Sequence, residues 1–218
     1  MAEAARTGAL ITVEGIDGTG KSTVVAALGR WLAAAGVKAA VQREPTMTWV
    51  GEAVRKSHTL RSDPLTQTFL FLADRAQHCE AIRAEMAQGA VILCDRYFDS
   101  TIAYQGAALA GKTDPYESVK WLRALHNPWV VVPDLTLLIV DDPVKCVERV
   151  KARGATSMFE DAAFLAKVQD NYRRAAEAEP ARFRVVEGGE LGALTERCRT
   201  EIESFLKSRG LVKAPASA

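Results

Sequence analysis

Lys21 and Ser22 close an eight-residue run, Gly15-Ile16-Asp17-Gly18-Thr19-Gly20-Lys21-Ser22, that satisfies G-x-x-x-x-G-K-[ST] at every position. Glycines in such a run let successive backbone N–H groups turn inward around an anion. The helix expected from Thr23 would aim its positive end at the same point. The chemistry that follows is binding of a nucleoside triphosphate such as ATP. Lys21 would reach the β- and γ-phosphates, and the Ser22 hydroxyl would ligate Mg²⁺. A second pair with chemical potential is Asp95-Arg96, directly after an apolar run. A carboxylate there can hold Mg²⁺ directly or through a water, and the adjacent guanidinium can face phosphates.

These groups need strands and helices to place them. Residues 10–13 are a short apolar, β-branched run that reads as a strand, and 23–35 are rich in Ala, Leu and Val and free of proline. Beyond Gly36, residues 37–43 read as a second strand, closed by Glu44-Pro45, and 50–57 as a short helix. Asp63-Pro64 is an N-cap followed by proline at the first helical position, and the long helix it opens ends near Gln88. Residues 90–94, 135–140 and 183–186 read as further strands. Residues 143–153, 161–178 and 191–208 read as helices. Strands without polar alternation are buried on both faces, so the expected fold is α/β. It is a three-layer, doubly wound sheet of five parallel strands, opened by a P-loop. Ligands in such sheets lie beyond the carboxyl ends of the strands, and Asp17, Glu44, Asp95 and Asp141 all fall at or just past those ends.

With 218 residues, 48% of them apolar, the chain suffices for one well-buried domain over 1–218. Residues 1–8 and 210–218 are expected to be disordered tails. A formal charge of +1, from 28 basic and 27 acidic residues, argues against a broad nucleic-acid surface. No apolar run approaches a membrane span, and the N-terminus lacks the apolar core of a signal peptide. Cys79, Cys94, Cys146 and Cys198 have neither zinc-ligand nor disulfide-framework spacing, so a reducing cytoplasm is the expected compartment.

The segment Asp95-Arg96-Tyr97-Phe98-Asp99-Ser100-Thr101-Ile102-Ala103-Tyr104-Gln105-Gly106 resembles D-R-Y-x-x-S-x-x-A-Y-Q-G of the thymidylate kinases, a family of P-loop nucleoside monophosphate kinases. Four other segments agree in the family's order: Glu14 to Thr23; Arg43-Glu44-Pro45 with Gly51 to Lys56; Phe71 to His78; and Pro133 to Leu138. The resemblance implies phosphoryl transfer from ATP to dTMP with Mg²⁺, in a homodimer. It implies that Asp17 accepts a hydrogen bond from the 3′-hydroxyl. Arg55 and Arg96 would hold the 5′-phosphate, with Glu44 nearby on the phosphate or the metal's water shell. Phe71 would stack on thymine, Arg75 would bond its edge, and Ser100, Thr101 and Gln105 would complete the base pocket. Tyr104 would pack against C2′ of the sugar. Phe71 and Arg75 are four apart and share a helix face, which suits a joint grip on a planar base. His58, His78 and His126 are not expected to be catalytic, because a phosphate oxygen ionised at neutral pH needs no general base.

The chain departs from the family at the arginine that neutralises the transferring group. The loop position after Asp17 is Gly18, and in the lid, about residues 149–161, Met158 stands where arginine is expected. Arg149 and Arg153, four apart, are the candidates for contact with the nucleotide, one on adenine and the other near the phosphates. Thr46-Met47-Thr48 replaces the glycines common in bacterial members. Two alternatives remain open. One is a broader nucleotide or deoxynucleoside kinase on the same scaffold. The other is a nucleotide-switched binding protein, although no N-K-x-D guanine motif occurs.

Overall fold

All seven residues of β1 (Ala9–Gly15) are buried, because the strand has a parallel neighbour on either edge and helices over both faces. The computed structural model describes residues 7–110, 115–154 and 161–212. Its sheet runs β2 (Ala39–Arg43), β3 (Val91–Asp95), β1, β4 (Leu135–Val140), β5 (Phe183–Glu187), and every pairing is parallel. β3 and β4 are as fully buried as β1, whereas the edge strands expose Val41 and Arg43 in β2 and Arg184, Val185 and Glu187 in β5. That explains why the central strands read as unbroken apolar runs.

Side chains alternate across the sheet. Ile11, Val13, Leu93, Leu137 and Ile139 meet α1 (Lys21–Ala34) and α8 (Leu191–Ser208), through Val24, Leu28, Leu32, Cys198, Ile202 and Leu206. On the opposite face, Leu10, Ile92 and Cys94 meet α3 (Pro64–Ala87), α4 (Phe98–Leu109) and α5 (Pro115–His126). Leu138 and Val140 meet α6 (Pro143–Ala152) and α7 (Ala162–Ala178). Each fully buried Leu or Ile contributes roughly 1.5–3 kcal/mol, so these two layers hold the strand ends in place. The remaining helix, α2 (Trp49–Thr59), stands at the β2 end against α3.

Start signals read from sequence have their physical counterparts. Asp63, Asp142 and Asp161 each accept a hydrogen bond from the backbone N–H two residues on, with proline in the first turn of α3 and α6. Two helices go beyond the sequence reading, although Asp114-Pro115 in the sequence is the same kind of start signal for one of them. α4 is buried on nearly every side, so it has no amphipathic stripe. α5 follows residues 111–114, which lie outside the described residues. Residues 7–8 and 210–212, expected in the tails, belong to the described fold. Thr7 donates to the Met86 and Ala87 carbonyls at 3.3 Å, and Leu211 and Val212 pack on the α1/α8 core. Residues 1–6 and 213–218 lie outside the described residues, as do 155–160 of the expected lid, Met158 among them.

Candidate active site

The carboxyl ends of β1, β2 and β3 open into a cavity of about 690 Å³. Asp17, Gly18, Lys21, Ser22 and Thr23 form one wall, and Phe71, Arg75, Thr101, Tyr104 and Gln105 the other. Glu44, Asp95, Arg96, Ser100 and Arg153 line it between them.

On the loop side, Gly20 at φ 90° caps α1 without a side-chain bond, leaving the first-turn N–H groups to a ligand. Gly18 also has φ 90°, and a Cβ there would meet the Cys146 carbonyl oxygen at 2.3 Å. α6 therefore presses on the loop so closely that position 18 has no room for an arginine. Gly15 ends β1, Ile16 turns into the core, and Thr19 Oγ1 donates to the Ile16 carbonyl at 3.0 Å. Lys21 Nζ lies on the same carbonyl at 2.6 Å and 3.3 Å from Thr19 Oγ1. Burial, then the Arg96 charge, lower its pKa to about 8.

Ser22 Oγ donates to Asp95 Oδ2 at 2.6 Å, while Asp95 Oδ1 is buried with no partner among the described residues. A hydroxyl and a half-satisfied carboxylate at the phosphate end fit Mg²⁺, which takes few protein ligands and fills its shell with water and phosphate. No cluster of three or more His, Cys, Asp or Glu suited to a metal occurs among the described residues.

Arg96 has φ 67°, a left-handed backbone that turns its side chain back over the loop. It pairs with Asp17 at 2.5 Å, donates to the Gly15 carbonyl at 3.1 Å and Ser100 Oγ at 3.2 Å, and lies over the Tyr104 ring at 5.1 Å. The Tyr104 hydroxyl accepts from the Asp17 N–H at 3.0 Å and donates to Asp17 Oδ2 at 3.1 Å. Burial alone would raise the Asp17 pKa; the charges of Arg96 and Lys21 outweigh it and hold the carboxylate below its usual range.

Beneath Arg96 lies a group to which the sequence assigns no role. Glu14 Oε2 accepts from Ser100 Oγ at 2.6 Å and from the Tyr172 hydroxyl at 2.9 Å, and those two oxygens are 2.7 Å apart. Burial, then the nearby Asp99 charge, push the Glu14 pKa up to about 7.

Across the cavity, Gln67, Phe71 and Arg75 follow one another at four-residue spacing along one face of α3. Arg75 is only 1% exposed. Its Nη2 pairs with Glu44, its Nη1 donates to His126 Nε2 at 2.9 Å, and its Nε has no partner among the described residues. Burial opposes the charge on Arg75, but Glu44 prevails and raises its pKa. His126 donates from Nδ1 to the Leu122 carbonyl at 2.7 Å, which leaves Nε2 a bare acceptor. Burial and the Arg75 charge lower the pKa of His126 to about 3, locking that neutral form. Thr101 Oγ1 is likewise buried without a partner among the described residues. Gln67, Glu14, Tyr172 and His126 join the site although the sequence does not assign them to it. Only Gln67 is visible there, through its four-residue spacing from Phe71.

Three of the expected residues are engaged with protein groups. Glu44 lines the cavity and is bonded to Arg75 and to His78 Nδ1 at 2.9 Å. Arg55 donates to the Thr46 carbonyl at 2.6 Å and the Pro45 carbonyl at 3.3 Å and is not in the cavity wall. Arg149 pairs with Asp141 at 2.6 Å and donates to the Gly18 carbonyl at 3.3 Å, behind the loop. Both arginines are taken up by oxygens closer to their own helices than the cavity is. Arg153, at the end of α6, lines the cavity.

The thymidylate kinase family model matches residues 13–193. A probable thymidylate kinase of Methanococcoides burtonii is 41% identical over 197 residues, covering 90% of this chain and 92% of its own. One of Methanoculleus marisnigri is 44% identical over 180 residues, 82% and 85% of the two chains. The solved thymidylate kinase of Candida albicans shares the fold, with TM-score 0.74 over 97% of this chain and 96% of its own, at 23% identity. The family match begins inside β1 and ends in α8, spanning both walls of the cavity, and the chain belongs to the thymidylate kinase family.

Proposed function

We propose that the chain transfers the γ-phosphate of ATP to the 5′-phosphate of dTMP, giving dTDP and ADP for dTTP synthesis, with both substrates meeting in this cavity. The observation that carries the residue roles is one space bounded by a P-loop on one side and a base-sized cleft of partnerless donors on the other. The loop and Lys21 hold the ATP phosphates. Ser22 and Asp95 would hold Mg²⁺, which would supply positive charge beside the transferring group. Arg96 leaves Asp17 to hold the acceptor phosphate, which frees Asp17 for the 3′-hydroxyl. Tyr104 stays against the sugar. Phe71 stacks on thymine, while Arg75, Thr101 and Gln105 read its edge and Ser100 stays between Arg96 and Glu14. Arg153 is the arginine placed to meet the nucleotide, and Arg149 steadies the loop from behind. Catalysis is positioning and charge neutralisation, with no general base.

The exposed Phe69–Trp121 pair, ring centroids 6.3 Å apart on α3 and α5, supports assembly as a homodimer through that face. Four free, buried cysteines support a reducing cytoplasm, and no described helix is long and apolar enough to cross a membrane. A coupled ADP-release assay with dTMP, dUMP, dAMP, dGMP and thymidine tests the reaction. Turnover with dTMP above the rest is expected. Turnover with thymidine but not dTMP, or with no acceptor at all, overturns the reading.

A further inference from the structure

An arginine can only donate, but a glutamine amide can present either end to a ligand. Which end Gln105 presents therefore decides which pyrimidine edge the site accepts. Gln105 does not choose for itself. Gln67, buried one turn before Phe71 on α3, donates from Nε2 to the Ser62 carbonyl at 3.0 Å. A carbonyl only accepts, so the Gln67 nitrogen is fixed on that side and its Oε1 faces Gln105. Gln105 Nε2 then donates to that oxygen at 3.4 Å, which leaves Oε1 as the end offered to a ligand.

We propose that Gln67, which does not line the cavity, is a specificity-determining residue: it locks Gln105 with its acceptor toward the base. This rests on the reading that Arg75 and Gln105 meet the base edge. Arg75, held by Glu44 and His126, supplies a donor with its unpaired Nε–H. Donor beside acceptor complements a ring carbonyl beside a ring N–H, the O4 and N3–H of uracil and thymine. Cytosine offers an amino group and a bare N3, so both contacts become mismatched and leave buried groups unpaired. Without Gln67 the Gln105 amide can turn over and accept the cytosine edge at N3.

The test is kcat/KM for dTMP, dUMP and dCMP with wild type, Gln67→Met and Gln67→Glu. Methionine keeps the volume but neither bond, whereas glutamate, protonated in this buried place and donating to the Ser62 carbonyl, keeps the acceptor facing Gln105. The dTMP/dCMP ratio is expected to fall about tenfold in Gln67→Met, with the dTMP/dUMP ratio unchanged, since uracil keeps the same edge. Gln67→Glu should keep the dTMP/dCMP ratio within about twofold. An equal loss for dTMP and dCMP in Gln67→Met overturns the proposal. So does a tenfold fall in Gln67→Glu, an arm that stands even where Gln67→Met does not fold. Gln105→Leu separates the two readings. If it leaves the dTMP/dCMP ratio intact, Gln105 does not read the base. If it collapses the ratio while Gln67→Met does not, only the role of Gln67 fails.

Discussion

The two walls of the cavity are built differently. The phosphate wall is one continuous stretch, residues 15–23, with a single carboxylate brought up from the neighbouring strand. Its working groups are backbone N–H groups and short side chains whose positions follow from glycine conformations and the start of α1. The base wall is assembled from α3 and α4. Its working groups are long side chains held from behind by Glu44, His126 and Gln67, which come from the end of β2, from α5 and from α3. Charge is handled differently as well. Lys21 bonds a carbonyl and a hydroxyl until a phosphate arrives, whereas Arg75 is already neutralised by Glu44. One wall is set to respond to charge; the other is set to recognise shape and hydrogen-bond pattern.

If that contrast holds, losses on the phosphate wall fall on kcat and losses on the base wall fall on the KM for dTMP. Lys21→Ala should lower kcat by about 10³-fold or more, with the melting temperature held, because a buried cation is removed at little structural cost. A change confined to the KM for ATP would refute the assignment. Arg153→Ala should lower kcat by about 10–100-fold and Lys151→Ala by less than about twofold, in steady-state kinetics. Equal small losses would move the search for the neutralising arginine out of α6. On the base wall, His126→Phe removes the acceptor for Arg75 and should raise the KM for dTMP about tenfold with the KM for ATP unchanged. His126→Gln, which can still accept, should recover most of that. A parallel rise in both KM values would mean that His126 supports the fold as a whole.

An effect on stability rather than on rate concerns Glu14, below both walls. Its folded pKa, about 7, lies above the usual value, so its proton stabilises the fold fully below about pH 4.5 and that stabilisation is lost as pH rises through 7. Wild type should therefore lose stability relative to Glu14→Gln by on the order of 3 kcal/mol between about pH 4.5 and 8, measured by urea unfolding. A difference independent of pH would show that Glu14 is already ionised in the folded protein.

The phosphate wall is legible in the sequence, because G-x-x-x-x-G-K-S encodes its own geometry and the strands around it announce themselves by composition. Helices with an N-cap and proline are legible for the same reason, since capping acts between residues two or three apart. α4 is not, since a helix buried on nearly all sides has no polar face to set its period. Glu44 shows the limit most clearly. A carboxylate at a strand end beside a phosphate loop suggests metal or phosphate, yet its oxygens go to Arg75 and His78, about thirty residues away along the chain. The missing loop arginine also needs the third dimension to explain it. Position 18 is visibly glycine, but only the Cys146 carbonyl, brought there by α6, explains why it must be.

The sequence alone thus determined the fold class, the phosphate-binding loop and the acceptor family, because these rest on local backbone conformation and on short motifs in a set order. Tertiary structure decided which arginines face the cavity, which groups crowd the Glu14 carboxyl and which end of Gln105 is bonded to Gln67. Those are settled by competition among buried polar groups far apart in the chain. In a low-dielectric interior every unpaired donor or acceptor carries a cost, and only the assembled packing says which partner is near enough to remove it.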